Sequence, residues 1–442
     1  MKQTVSYGVR IVDAYQVLFE TMSLYRICVK KLMAVSLEHY DEIRDKSPLE
    51  ARRIIELLIH SSRSHKARYP FFDQEFPKFP SYLRRSAIQE AIGIVVAYKE
   101  QVERWETLPE NERSEKPHLT KNPHSMPVLY RGNCFKLLDG HRCLIKIYHQ
   151  NDWVWFEFKL NRSDFDYLKR KTADYSCPTL ERRGHRFELR FSYETQVELP
   201  TKVRRICAVD LGVNTMAVCS IMEADGTVMA RKFIDFPIEK DRMYTMLGRI
   251  KRAHANGNRK TPRLWRCAKY YNRELSIKTS SAITSFAKAW SADCIVFEYL
   301  NPRTSGRTRN QRIALWRKRD IQKRTEAIAH QASIRISRVN AWKTSSYAFD
   351  GSGVVKRDPN NHQLCVFKTG KQYNCDLSAS YNIGARYFIR DIIKSLSETE
   401  ELAVSANVPE LVRRTGGLTA IHSTLSTLIN LNAALEQLAP AC

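Results

Sequence analysis

The sequence has no CxxC pair, no internal repeat and no low-complexity tract. Its eleven cysteines are scattered, and several lie inside apolar runs, as is typical of small buried side chains. Disulfides are therefore not expected. No stretch of about 18 uncharged apolar residues occurs, which argues against a membrane span. The first residues, MKQTVSYGVRIVDAYQ, turn polar and charged at once and do not form a signal peptide, so we expect a cytoplasmic protein.

The charge of the chain is strongly one-sided. Lys and Arg number 72 against 47 Asp and Glu, a formal net charge of +25, while the hydrophobic fraction of 43% is ordinary for globular protein. Basic side chains that contact phosphates release condensed counterions, so such an excess favours a nucleic-acid partner. A length of 442 residues indicates two to four domains, at about 100–200 residues each.

The N-terminal 200 residues change from a helical to a strand-like period. Residues 1–12 alternate as a strand does. Helices are predicted over 15–35, 48–62 and 81–105, before a polar, proline-rich linker. Strands are then predicted over 129–138, 143–149, 153–160 and 186–193. This pattern predicts a small antiparallel sheet or barrel over 1–14 and 126–202, interrupted by a helical insert with its linker over 15–125.

From residue 203 onward, strands alternate with long basic helices. Strands are predicted over 205–210, 216–221, 227–234, 294–298 and 334–340. Helices are predicted over 262–290, 310–332 and 376–394, with another in the tail near 418–438. The order predicts an α/β domain with a mixed sheet over 203–340 and 376–394. An irregular insert over 341–375 and a helical tail over 395–442 complete the chain.

Three acids in this domain occupy positions that burial would normally forbid. Asp210 ends the apolar strand in ICAVDLGVN, Glu298 ends that in DCIVFEYL, and Asp376 is well placed to cap the helix in YNCDLSASYNIGAR. Each is ordinary alone, since strand ends are often solvated and Asp is a common helix cap. In this order, however, the three converge at one end of a mixed sheet. Hard oxygen ligands of this kind hold the two divalent ions that hydrolyse phosphodiesters, so we expect Mg²⁺ or Mn²⁺ there.

A resemblance to a known family lies in three segments, AVDLGVNTMAVCS, IVFEYL and CDLSASYNIGARY. They are similar to the three RuvC motifs of the TnpB nucleases of transposons and of the related miniature type V CRISPR effectors. The stretch WRKRDIQKRTEAIAHQASIRISRVNAWKTSS agrees as well, so the resemblance is specific over about 200–390 and looser before it.

The resemblance implies a fold, an activity and a set of partners. The fold is an RNase H-like (RuvC) nuclease domain plus a β-barrel-like wedge domain that is interrupted by a helical recognition insert. The activity is RNA-guided cleavage of DNA, with guide RNA and target DNA as partners and a nucleoid-associated location in a prokaryotic cell. Its catalytic metal ligands correspond to Asp210, Glu298 and Asp376.

One departure from the family lies at 341–375, where two CxxC knuckles usually form a zinc ribbon. Ala348 and Gly351 stand near the first pair, and the second is reduced to Cys365. A closed zinc site needs four Cys or His ligands, and only His362, Cys365 and Cys375 are available. We therefore expect no structural zinc in this degenerate, target-binding insert. Turns at 350–351 and 369–370 should hold it instead, with packing of Tyr347, Phe349, Phe367 and Tyr373.

A basic segment begins three residues after Glu298. Residues 301–325 contain nine Lys or Arg and one acid. A solvated helix face is the ordinary explanation of such charge, but the bias toward Arg favours nucleic-acid backbone contacts. The residues expected to make them are Arg303, Arg307, Arg309, Arg312, Arg317, Lys318 and Arg319. A second run, RIKRAHANGNRKTPRLWRCAKYY, interleaves Trp265, Tyr270 and Tyr271, for which base stacking and core packing are both open.

Two other functions stay open at this point. An unguided RNase H-like nuclease or transposase would use the same acids, although a resolvase would hardly need the N-terminal 200 residues. A guided DNA-binding repressor would have a dead nuclease, whereas all three acids are intact. The sequence does not indicate whether the protein is a homodimer.

Overall fold

The structure, a computed structural model, describes most of the chain. The described residues are 1–12, 15–110, 113, 115–138, 140–172, 174–299, 317–359, 361, 363–408, 410–414, 417–419 and 423–438. Two units divide the chain, Lys2–Gln196 and Val197–Cys442, with Met1 grouped in the second. Of the helices within these ranges, none is both long and apolar enough to cross a membrane.

The N-terminal unit is built on a six-stranded antiparallel sheet. Its strands are β1 (Lys2–Val12), β2 (Phe135–Leu137), β3 (Arg142–His149), β4 (Asp152–Leu160), β5 (Thr179–Arg183) and β6 (Arg186–Gln196). They lie in the order β2-β3-β4-β1-β6-β5. Strand β1 pairs with β6 from Lys2↔Gln196 to Ile11↔Phe187, and with β4 at its far end. The first strand of the chain is thus central in the sheet, while closure into a barrel stays a prediction.

Helices fill the sequence between β1 and β2. They are α1 (Tyr15–Glu38), α2 (Tyr40–Ile43), α3 (Pro48–Ile59), α4 (Phe71–Glu75) and α5 (Ser81–Glu106). A short helix, α6 (Arg162–Lys171), follows β4. Helix α3 begins with a capping box between Ser47 and Glu50 and with proline at its first turn, which is a strong start signal. Buried side chains of these helices and of the sheet share one hydrophobic core.

The second unit contains a mixed five-stranded sheet. Its strands are β7 (Arg205–Asp210), β8 (Ala217–Glu223), β9 (Val228–Ile234), β10 (Cys294–Glu298) and β11 (Arg335–Val339). They lie in the order β9-β8-β7-β10-β11. Strand β10 runs parallel to both neighbours, whereas β7, β8 and β9 are antiparallel. A mixed sheet is therefore present, as predicted.

Helices cover both faces of this sheet. They are α7 (Pro237–Ala255), α8 (Pro262–Ala289), α9 (Lys318–Gln331), α10 (Cys375–Ser395), α11 (Glu398–Asn407) and α12 (Leu425–Leu438). Because side chains of a strand alternate between faces, Ile206 and Ala208 of β7 join a core with α10 and α12. Cys207 and Val209 face the other way, into a core with α8 and α9.

The segment between β11 and α10 contains three short strands, β12 (Lys356–Arg357), β13 (Leu364–Val366) and β14 (Gln372–Asn374). Gly351 and Gly370 have φ of +78° and +81° at the expected turns, a conformation that glycine adopts without strain. The buried cluster consists of Ala348, Cys365, Phe367 and Cys375, with Phe349, Val355 and Tyr373 packed against it. His362 lies outside the described residues, and the absence of zinc stays a prediction.

Several predicted boundaries are wrong. The strand expected over 129–138 is only Phe135–Leu137, because the Cys134 amide donates to the Tyr130 carbonyl at 2.8 Å and the chain turns. The tail helix starts at Leu425, because residues 412–414 and 417–419 form a small hairpin, β15 and β16. The sequence patterns do not predict helices α6 and α7, although Pro237 at the first turn of α7 is a recognised start signal.

Helix α10 packs tightly against the sheet at Gly384. A Cβ built there would lie 2.9 Å from Met222 Sδ and 3.3 Å from Ala208 Cβ, whereas one at Gly248 in α7 would meet nothing within 4 Å. We expect Gly384→Ala to destabilise the protein by about 1–3 kcal/mol through overpacking. Gly248→Ala, the matched control, should stabilise it by about 0.5–1 kcal/mol. Chemical denaturation of both variants measures this, and equal effects would contradict the close approach.

Candidate active site

Two of the predicted acids end neighbouring parallel strands. Strands β7 and β10 pair in the register Cys294↔Ile206, Ile295↔Cys207 and Val296↔Ala208. Continuing that register by two residues sets Glu298 beside Asp210. Parallel strands end at the same sheet edge, so both carboxyl groups lie at that edge.

The third acid, Asp376, lies in the first turn of α10. Its carboxyl group is close to Gly212, in the turn that follows β7. A Cβ built on Gly212 would lie 3.8 Å from Asp376 Oδ2 and 2.6 Å from the Thr215 carbonyl oxygen. Any larger residue at 212 would therefore disturb the turn after β7. The prediction that Asp376 caps the helix is wrong, because Asn374 is the cap: its side-chain oxygen accepts from the Leu377 amide at 2.9 Å. The Asp376 carboxyl group is consequently left for the site.

The pKa of Asp210 responds to the charges of both other acids. Burial is the largest cause of the raised pKa of Asp210, followed by the charges of Glu298 and Asp376. Burial likewise raises the pKa of Glu298 and of Asp376. Like charges held out of water favour the protonated forms, so the ionised cluster calls for added positive charge.

Carboxylate oxygens are the ligands that Mg²⁺ prefers, and one or two of them suffice because the ion keeps several waters. Asp210 lies near both Glu298 and Asp376. Among the residues that the structure describes, however, no group of three or more His, Cys, Asp or Glu side chains is placed to hold a metal ion. Binding of Mg²⁺ or Mn²⁺ by these three acids therefore stays a prediction.

Thr344 holds the Glu298 carboxyl group in place. Its hydroxyl donates to Glu298 Oε1, and the residue is buried. The Asn382 amide in turn donates to the Thr344 carbonyl at 3.0 Å and to the Tyr347 carbonyl at 2.9 Å. Helix α10 thus supplies Asp376 and also anchors the segment that orients Glu298.

Arg386 ties three parts of the chain together behind the acids. Its Nη1 donates to the carbonyls of Asn340 and Trp342 at 2.8 and 2.9 Å, and its Nε donates to the Ser423 carbonyl at 3.2 Å. Its charge opposes the rise in the pKa of Glu298. Sequence patterns did not single out this arginine, because its partners are backbone carbonyls remote in the chain.

Two further cations flank the carboxylates. Lys318 lies near Glu298 and Asp210, and burial lowers the pKa of its ammonium group. One turn later the Gln322 amide donates to the Glu298 carbonyl at 2.9 Å, so the face of α9 that carries both residues lies toward the end of β10. Arg357 of β12 opposes the rise in the pKa of Asp376.

The predicted nucleic-acid contacts are placed only in part. Arg303, Arg307, Arg309 and Arg312 lie outside the described residues. Arg317 pairs with Asp320 at 3.6 Å, and Arg319 is exposed at the start of α9. Lys318 belongs to the acidic site itself. Their contacts to nucleic acid stay predictions.

The aromatic residues of the second basic run divide between the two interpretations. Trp265 packs against the small core of α7 and α8, and Tyr271 packs against the larger core of the sheet. Tyr270 is 63% exposed and is therefore available for stacking.

Comparison with known proteins gives limited matches. Residues 4–149 match the model of the Aq_aa04 family, which is less than half of the chain. None of the curated proteins compared with this sequence matches it.

The solved structures that the chain is similar to are Cas12 CRISPR effectors. A Cas12f1–sgRNA–target DNA complex has 14% identity and a TM-score of 0.33, covering 87% of this chain and 98% of that one. CasPhi-2 (Cas12j) bound to crRNA has 10% identity and a TM-score of 0.48, covering 89% and 98%. A Cas12i–crRNA–dsDNA complex has 8% identity and a TM-score of 0.35, covering 96% and 64%. Each of these three TM-scores is below 0.5.

The raised pKa of Asp210 predicts a stability effect without metal. Where folding raises the pKa of a carboxyl group, the protein loses stability as the pH rises from the group's ordinary pKa of about 3.9 through its pKa in the folded state. We therefore expect Asp210→Asn to raise the Tm in EDTA by a few degrees at pH 7 and by little near pH 4. Scanning calorimetry of both proteins measures this, with exposed Asp241→Asn as the unchanged control. A lower Tm for Asp210→Asn would contradict it.

Proposed function

We propose that this protein is an RNA-guided, Mg²⁺-dependent DNA endonuclease with an RNase H-like (RuvC) nuclease domain. The observation that carries the nuclease assignment is the sharing of Asp210 between Glu298 and Asp376 at one edge of a mixed sheet. The charges of Glu298 and Asp376 raise the pKa of Asp210, which opposes folding at neutral pH, so a purely structural role does not account for these acids.

In this proposal the chain's own residues hold the metal ions, orient the ligands and neutralise negative charge. Asp210, Glu298 and Asp376 supply the hard oxygen ligands, and Thr344 fixes the Glu298 carboxyl group. Lys318 and Arg357 stand near the acids, where a phosphodiester would bring its negative charge. Two divalent ions, when bound, would activate the attacking water and stabilise the leaving oxygen.

The guided part of the proposal rests on two sequence observations. The motifs over about 200–390 resemble TnpB nucleases and miniature type V effectors, whose targets are chosen by pairing with a guide RNA. The net charge of +25 suits a protein that holds both a guide and a target, since backbone contacts by basic residues dominate such affinity. We propose accordingly that 1–14 with 126–202 form a wedge-like domain and 15–125 a recognition insert.

The chemistry has a direct test in the three carboxylates. Asp210→Asn, Glu298→Gln and Asp376→Asn should each lower the rate of target cleavage by about 10³-fold or more, because a missing ligand removes an ion's contribution to the transition state. Nucleic-acid binding should stay within a few-fold, and EDTA should stop cleavage by the wild type. Single-turnover cleavage assays measure this, with Asp241→Asn as control. Undiminished cutting by any of the three variants under saturating Mg²⁺ would contradict the assignment.

Guide dependence is a separate prediction. Protein freed of RNA by nuclease treatment should not cut duplex DNA until a complementary guide is supplied, and cleavage should then follow the guide sequence. Sequencing the RNA that co-purifies with the protein identifies the natural guide. Equal cutting without RNA would favour an unguided nuclease or transposase. Guided binding without cutting by an intact site would favour a repressor.

A further inference from the structure

The N-terminal unit contains a cavity of about 370 Å³ that the nuclease chemistry does not use. Its walls come from α1, from residues 122–125 after α5, and from the hairpin between β5 and β6. The lining residues that matter here are Met22, Ser23, Arg26, Pro123, His124 and Arg182. The three walls are far apart in sequence, so the cavity is a product of the fold.

The cavity is positively charged. Two guanidinium groups and an imidazole line it, and no Asp or Glu is among its lining residues within the described chain. No described carboxylate forms an ion pair with Arg26. The nearby acid, Glu90, accepts from the Tyr25 hydroxyl at 3.1 Å and from the Met126 amide at 3.3 Å, and the charge of His124 opposes the rise in its pKa. An anionic group would therefore meet attraction without a competing internal partner for Arg26.

One of the two guanidinium groups is already held in place. Arg182 Nε donates to the Gly184 carbonyl at 2.9 Å, and its guanidinium lies 4.7 Å from the centre of the Phe19 ring. Gly184 has φ of +63°, which lets the hairpin turn without strain. A planar, preorganised guanidinium loses little conformational freedom on binding a phosphate.

The size and the walls indicate more than a bare phosphate. Small-ligand pockets have volumes of about 300–1,000 Å³ and combine apolar surface with a few polar groups. Met22 and Pro123 supply apolar surface here, and Ser23 and His124 supply polar atoms. We propose that the cavity binds a nucleotide, its phosphate between Arg26 and Arg182 and its base against Met22 and Pro123. A free mononucleotide and one unit of a bound RNA strand present the same chemistry.

The test uses the full-length protein in EDTA, so that the nuclease site plays no part. Two probes are titrated by fluorescence anisotropy, a labelled adenosine monophosphate and a labelled 12-residue oligoribonucleotide. Arg26→Gln should weaken binding about 10-fold. It should also lower the salt dependence of strand binding, log Kd against log salt, by about 0.7, because the variant neutralises one phosphate fewer. Arg170→Gln, an exposed arginine on α6, is the matched control and should change the affinity less than 2-fold, the scale of a side chain that does not touch the ligand.

A second variant separates a cavity from a basic surface. Ser23→Phe fills the space without changing charge and should weaken binding of either probe at least as much as Arg26→Gln does, whereas a diffuse basic patch would tolerate it. Weakened binding of both probes, or of the strand alone, would support the proposal and name the source of the nucleotide. Equal weakening by Arg170→Gln and Arg26→Gln, or full binding by Ser23→Phe, would overturn it. Neither outcome bears on cleavage by the carboxylates, so the two proposals fail independently.

Discussion

Repulsion among three half-buried carboxyl groups is the constraint on which the second unit depends. Asp210 is set against both Glu298 and Asp376, and ionisation in low dielectric is costly. The protein offsets that cost only in part, through the charges of Lys318, Arg357 and Arg386. The repulsion that is not offset favours the approach of further positive charge. A fold that holds three such carboxyl groups at one sheet edge is less stable for it at neutral pH.

Helix α10 positions two of the three acids, Asp376 directly and Glu298 through Thr344. Its first turn presents Asp376, and its later turns use Asn382 and Arg386 to hold the backbone that leads to Thr344. Because Gly384 seats the same helix directly against β7 and β8, the distance from helix to sheet is tightly determined. Movement of the helix would therefore alter the positions of Asp376 and, through Thr344, of Glu298 together.

The sequence could predict those residues of the site that stand out in a local pattern. An acid that ends an apolar strand, as Asp210 and Glu298 do, is visible because burial makes its charge anomalous. Parallel pairing then brings the two together at one edge. Thr344 and Arg386 carry no such signal, since their partners are reached only through the tertiary fold. Asp376 shows the limit of local patterns. It was predicted to cap the helix, but Asn374, two residues earlier, is the cap. In the N-terminal half, periodicity predicted the long helices well. It overstated the strand before Phe135, where a turn of the backbone outweighs apolar side chains.

The central position of β1 has a consequence for how the chain is made. Its partner over almost its whole length, β6, ends at Gln196, so the ribosome must add nearly two hundred residues before the strand can complete its pairing. At synthesis rates of about 5–20 residues per second, the strand waits for about 10–40 s with one or both edges open. Helices α1 to α5 are synthesised during that interval. They fold quickly because their contacts are local in sequence. The first strand of this protein is therefore among the last parts of its sheet to settle, and its exposed edge during synthesis is where the nascent chain is most open to mispairing.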